Sequence, residues 1–246
     1  MSTRLASVAF DAADPLRLGR WWSVALGWPV AVEDDEGVEL AVPSALDSPG
    51  EVPSLSFNPV RDSKTVKNRV HLDLASESQE GQEATVERLV SLGARPIDIG
   101  QHGVPWVVLA DPEGNEFCVL EPRERFVATG VLACVVLDAL DPGALARFWV
   151  EASGWAVAEE FPEGVSLRRP SGLPPDLDLV RVTEPHAVKN RVHFDVAPLT
   201  GYVRDDEARR LLRLGARSVD VGQGPDVPWV VLADPEGNEL CVLGGS

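Results

Sequence analysis

Cysteine, methionine, tyrosine and histidine are scarce here: three, one, one and four among 246 residues. Three cysteines form no even-numbered disulfide framework, so Cys118, Cys134 and Cys241 are expected as free thiols in a reducing cytoplasm. Positive charge is also short. Lysine and arginine total 22 against 39 aspartates and glutamates, a formal net charge of −17. Nucleic acid and anionic membrane surfaces select for basic patches, so neither is expected as a partner. The opening MSTRLASVAFDAAD lacks a basic stretch followed by an apolar run, and no signal peptide is expected. No apolar stretch approaches the ~20 residues that span a bilayer, and low-complexity segments are missing.

What the chain does contain, it contains twice. Val104–Leu120 reads VPWVVLADPEGNEFCVL and Val227–Leu243 reads VPWVVLADPEGNELCVL, differing only at Phe117 and Leu240. VKNRVHLDLA at Val66–Ala75 returns as VKNRVHFDVA at Val188–Ala197, and LGARPIDIGQ at Leu92–Gln101 as LGARSVDVGQ at Leu214–Gln223. The openings VAFDAADP (Val8–Pro15) and VVLDALDP (Val135–Pro142) agree as well. A period near half the chain is too long for a solenoid and implies two copies of one domain, 1–123 and 130–246. The segment Pro122–Thr129 is the expected linker.

Each copy alternates between two periods. Leu5–Asp11 places Val8 and Phe10 on one face and Ser7, Ala9 and Asp11 on the other, as a strand does. Asp14 with Pro15 reads as a helix cap and first turn, Leu18, Trp22 and Ala25 fall at helical spacing, and Gly27 is a stop. Short strands are expected at Val30–Glu33, Val38–Val42 and Ser54–Asn58. Arg69–Ala75 is another alternating strand, with Arg69, His71 and Asp73 on its polar face. A helix over Gln82–Leu92 should turn Val86, Leu89 and Val90 inward and end at Gly93. A hairpin then closes around Asp111–Asn115. Helices against the apolar faces would leave the polar faces lining a concavity, an α+β arrangement.

These features resemble the vicinal oxygen chelate superfamily, the glyoxalase and bleomycin-resistance fold. The opening strand with Asp-Pro and an aromatic pair, Leu26-Gly27-Trp28, the Arg-Val-His strand and the Ala-Asp-Pro-Glu-Gly-Asn-Glu hairpin carry the resemblance, in order and twice. It implies tandem glyoxalase-like domains of two βαβββ modules each, forming curved half-barrel sheets with helices outside. Enzymes of that superfamily chelate a divalent metal through four inward positions. In copy one these are Ser7, Ser56 (or Ser54), His71 and Cys118, a poor ligand set. In copy two they are Cys134, Asp178, His193 and Cys241, all able to bind zinc. Halves drawn from different copies would mix Ser7 and Ser56 with His193 and Cys241. Buried thiols more often act as small hydrophobes, so no metal is the favoured expectation, with zinc, iron or manganese as the alternative cofactor.

His71 and His193, mid-strand on the polar face, are the candidate catalytic residues, with a hydrogen-bonded wall histidine as the alternative. Trp106 and Trp229 are stacking candidates at a cavity mouth, whereas Trp22 and Trp149 fit core positions. Glu116 and Glu239 share a strand face with Cys118 and Cys241 and are expected exposed beside their turns, with the cavity rim as the alternative. Lys67-Asn68-Arg69 and its repeat are expected in salt bridges, and Asp-Pro-Glu-Gly-Asn as turn chemistry alone. The expected ligand-binding set is thus Ser7, Ser56, His71, Trp106, Cys118, Cys134, Asp178, His193, Trp229 and Cys241. The favoured function is metal-independent sequestration of a small molecule by a monomer with two pseudo-equivalent domains, or by a homodimer. A lyase, isomerase or dioxygenase using a metal or the histidines is the alternative.

Overall fold

The computed structural model describes residues 2–43, 51–126, 130–224 and 226–244. Of the expected linker, Val127–Thr129 lies outside the described residues. The chain folds into four modules, each a strand, a helix and three strands. The first holds β1 (Thr3–Ala12), α1 (Pro15–Leu26), β2 (Val30–Asp34), β3 (Gly37–Leu40) and β4 (Ser54–Pro59). The second holds β5 (Val70–Leu74), α2 (Gln79–Ser91), β6 (Arg95–Pro96), β7 (Val107–Ala110) and β8 (Glu116–Val119). The third holds β9 (Leu132–Ala139), α3 (Pro142–Ser153), β10 (Ala156–Phe161), β11 (Gly164–Arg168) and β12 (Asp176–Arg181). The fourth holds β13 (Val192–Pro198), α4 (Arg204–Arg213), β14 (Arg217–Ser218), β15 (Val230–Ala233) and β16 (Glu239–Val242).

Local chemistry explains the first helices of both copies. Asp14 accepts the backbone N–H of Arg17 at 3.0 Å, Pro15 fills the first turn, and Gly27 ends α1 at φ 69°. Asp141, Pro142 and Gly154 (φ 77°) repeat this on α3. Helix α2 begins three residues earlier than its apolar spacing suggests, because Ser78 caps it by accepting from Gly81. Leu89 is buried as expected, but Val90 is exposed, and Gln82 takes the inward place by donating to the Pro105 and Val119 carbonyls.

The modules pair across the copies. The first sheet runs β14-β15-β16-β13-β1-β4-β3-β2, joining module one to module four. The second runs β10-β11-β12-β9-β5-β8-β7-β6, joining module three to module two. Antiparallel β1–β13 and β5–β9 seams hold each eight-stranded sheet together. The sequence repeats 1–123 and 130–246 therefore do not each close a sheet. Each copy contributes half of both.

One continuous core ties the sheets. Trp22 of α1 lies 5.8 Å from Phe10 of the first sheet and 5.1 Å from Phe117 of the second, ring centre to ring centre. Its indole N–H donates to the buried Asp111 carboxylate at 3.1 Å, and Trp149 does the same to Asp234 at 3.2 Å. Both indoles are fully buried. Glu113 reaches back to accept the backbone N–H groups of Ala13 and Asp14, each at 2.8 Å. Glu236 does this for Leu140 and Asp141 at 2.7 and 2.8 Å. The Asp-Pro-Glu-Gly-Asn runs are thus more than turns: they satisfy donors ahead of the opening helices and fasten one sheet to the other.

Candidate functional site

The second sheet encloses a cavity of about 1220 Å³. Period-two alternation turns Val70, Leu72 and Leu74 of β5 into the core and His71 and Asp73 into this hollow. Beside them, on β8 and β7, lie Cys118 and Val108, with Trp106 at the entry to β7. From the other copy come Val136 of β9 and Asp178 and Val180 of β12. Cys118, Leu120 and Val136 on the cavity lining belong, with Phe126 and Cys134, to an apolar cluster separate from the main core.

At the floor, Asp73 sits in register between Cys118 and Cys134 on its two neighbouring strands. Cys134 Sγ donates to Asp73 Oδ2 at 3.7 Å, whereas Asp73 Oδ1 has no hydrogen-bond partner. His71 Nε2 is 3.5 Å from that oxygen, and its Nδ1 is unpartnered as well. Burial raises the Asp73 carboxyl to about 7, a rise enlarged by Asp178. Burial, with Lys67 nearby, lowers His71 to about 3, so the imidazole is neutral and the close approach is not an ion pair. Burial and the Asp73 carboxylate push the Cys118 thiol up, and burial with Asp178 and Asp73 pushes Cys134 up. These thiols are protonated and unreactive at neutral pH.

The first sheet carries the counterpart of this cluster, His193, Asp195 and Cys241. His193 Nε2 lies 3.6 Å from Asp195 Oδ1, and burial raises the Asp195 carboxyl and the Cys241 thiol. The difference lies opposite. Where Cys134 faces Asp73, Ser7 faces Asp195 and donates to its Oδ2 at 2.6 Å. Ser56 is on β4, in register with Ala9, its hydroxyl buried without a partner. Trp229 is 36% exposed before β15.

The candidate metal set Cys134, Asp178, His193 and Cys241 is therefore divided. The first two are on the second sheet and the last two on the first, because each barrel half is exchanged between copies. The ligand-binding candidates divide likewise: Ser7, Ser56, His193, Trp229 and Cys241 fall with the first sheet, and His71, Trp106, Cys118, Cys134 and Asp178 with the second. Glu116 and Glu239 are buried rather than exposed. Glu116 accepts from Lys64 at 2.6 Å and from the Asn68 backbone at 3.1 Å, and Glu239 accepts from the Asn190 backbone at 3.1 Å.

Comparison with known proteins agrees with this architecture. The glyoxalase-like domain model matches residues 7–120 and again 134–243. The chain belongs to that family. Among solved structures, glyoxalase I from Zea mays is similar at 14% identity, with 99% of this chain and 92% of that chain covered and a TM-score of 0.67. A putative dioxygenase from Bacillus subtilis is similar at 13% identity, covering 99% and 85%, with a TM-score of 0.63. At such identities the likeness shows the shared fold. No curated protein matches the sequence.

The family resemblance raises the question of a metal, which the exchanged pairing recasts. The four inward positions in the second sheet become Cys134, Asp178, His71 and Cys118. Asp178 is already engaged: Oδ1 accepts from Ser166 at 2.6 Å and Oδ2 from the Arg125 guanidinium at 2.8 Å. A fixed cation at that distance opposes a divalent ion on the same carboxylate. The first sheet offers Ser7 and Ser56, weak hydroxyl donors, beside His193 and Cys241. Neither four-position set fits the family's metal.

Sequence reasoning passed over Asp73 and Asp195 as site residues. The signal was present, since each lies two residues after its histidine on one strand face, in both copies. It also passed over Arg123 and Arg125, which line the cavity from the segment joining the copies. Arg123 lies over the Trp106 ring at 5.9 Å and Arg125 over Phe126 at 4.4 Å. No repeat or periodicity marks that segment, so nothing in the pattern pointed to it.

Proposed function

We propose that this protein binds a small organic molecule in the cavity of the second sheet, through the walls of the cavity and without a resident metal. The observation that carries the reading is a hollow of about 1220 Å³ lined by apolar side chains such as Val108, Leu120, Val136 and Val180 together with many charged and polar ones. A concave site of this size in which apolar walls and polar groups converge is where small molecules bind by default. Trp106 supplies an aromatic face, and His71 and Asp73 supply buried polar atoms with unused hydrogen-bonding capacity. Both sheets are completed within one chain, which supports a monomer, and the three free thiols suit the cytoplasm. His71 and His193 serve as wall residues in this reading.

Equilibrium titration against a panel of aromatic and peptide-like natural products tests it, run before and after treatment with a chelator. Saturable binding at one site per chain, unchanged by chelation and weakened in His71→Ala but not in His193→Ala, is the expected result. A panel with no saturable binder, or binding abolished by the chelator, overturns the proposal. Chemical alteration of the ligand in the bound pool would move the reading to catalysis.

A further inference from the structure

The charges around the cavity are mostly matched in pairs. Lys67 meets Asp138 at 2.7 Å, Arg123 meets Glu121 at 2.7 Å, and Arg125 meets Asp178 at 2.8 Å. Buried Arg69 is consumed by the Glu184 and Asp138 carbonyls, Asn238 and Glu236. Among the described lining residues, three carboxylates have no cationic side chain within ion-pairing distance: Asp73, Glu163 and Glu184. Against them stands Arg181, whose guanidinium donates to the Leu140 carbonyl. The surplus inside the hollow is negative.

Asp73 is the exception among the three. Glu163 and Glu184 are exposed, whereas Asp73 is only 8% exposed, lines the cavity and holds Oδ1 without a partner. A buried carboxylate that no cation meets is costly to keep ionised, and a cation entering the hollow would lower that cost. The neighbouring His71 and Cys118 do not neutralise it, Arg123 acts on it only from beyond ion-pairing distance while paired with Glu121, and Trp106 stands on the same wall.

We infer that the ligand of this cavity is an organic cation, a planar molecule whose protonated nitrogen donates to the Asp73 carboxylate while its ring system lies along Trp106. The inference rests on the cavity-binding reading above and adds the ligand's charge and the residue that reads it. The pseudo-equivalent Asp195 does not share the role, because it lies on the first sheet and does not line this cavity.

The planar fluorophores 9-aminoacridine, a cation at pH 7.5, and acridine, neutral at that pH, differ by one amino group and test the inference by fluorescence titration of the full chain. The expected result is one saturable 9-aminoacridine site per chain, at least tenfold tighter than acridine. Asp73→Asn should remove that preference, whereas Asp195→Asn should keep it. Equal affinity for the two dyes, or a preference that survives Asp73→Asn, overturns the cation assignment while leaving the cavity reading in place. Failure of both dyes to bind saturably, together with failure of the natural-product panel, overturns both. Zinc titrated alone forms a further arm. Stoichiometric zinc that displaces 9-aminoacridine, and is lost with Asp73→Asn, would assign the carboxylate to a metal ion instead.

Discussion

Replacing Asp73 with asparagine tests the electrostatics of the cavity floor without any ligand. The folded carboxyl titrates at about 7, held there by burial, against roughly 3.9 in an unfolded chain. Between those pH values the folded protein keeps a proton that the unfolded chain has released. Stability therefore falls as pH rises through that window and levels off above about pH 7. At roughly 1.36 kcal/mol per pH unit the whole window amounts to about 4 kcal/mol, of which about 3 kcal/mol lies between pH 5 and pH 8. Asparagine cannot ionise and escapes this loss. The changed hydrogen bond to Cys134 and the changed contact with Cys118 shift the variant by an offset that does not depend on pH over this range. Burial also raises Asp111, Asp138, Asp195 and Asp234, but their contribution is common to both proteins and cancels in the difference. Urea unfolding followed by circular dichroism at half-unit steps from pH 5 to pH 8 should show Asp73→Asn gaining on the wild type by about 3 kcal/mol. Parallel stability curves across that range would refute the reasoning.

Three further outcomes follow from the packing. Trp22→Phe removes the indole donor from the buried Asp111 carboxylate and should cost about 1–3 kcal/mol in urea unfolding, with Trp149→Phe behaving alike at Asp234; an unchanged midpoint would contradict the assigned bond. Gly37→Ala places a Cβ at a φ of +144°, 2.2 Å from the Phe57 carbonyl oxygen, and should destabilise by at least about 1–3 kcal/mol, measured in the same way. Residues 1–126 and 130–246 produced together as separate chains should associate into a one-to-one complex, because neither half holds a complete sheet. Two well-folded monomers, each with cooperative unfolding, would speak against the exchanged pairing.

The sequence made the elements legible because each was written in local chemistry. Asp14, Pro15 and Gly27 bounded α1, and strict alternation along Val70–Leu74 told which side chains faced the hollow. Repetition added a check, since Asp141, Pro142 and Gly154 said the same again. Partnership between modules was not legible. All four modules expose similar strand edges, and the β1–β13 and β5–β9 seams depend on contacts between residues more than a hundred and more than fifty positions apart, respectively. That is why Cys134 and Asp178 were grouped with His193 and Cys241, when the fold groups them with His71 and Cys118. Glu116 and Glu239 looked like exposed turn residues because their partners, Lys64 and the Asn68 and Asn190 amides, come from a distant loop. Arg125 was invisible for a different reason: it belongs to the join, where neither copy supplies a template.

The crossed pairing of modules bears on how such a duplicated gene can drift. Each sheet has one half from the N-terminal copy and one from the C-terminal copy, so neither copy is a spare. A substitution that retunes one wall of one site leaves the matching wall, encoded far away, to adapt or fail. Divergence between the two sheets must then proceed diagonally, with modules one and four changing together, and two and three together. The Ser7–Asp195 and Cys134–Asp73 contacts, each spanning both copies, are where that diagonal divergence is already written.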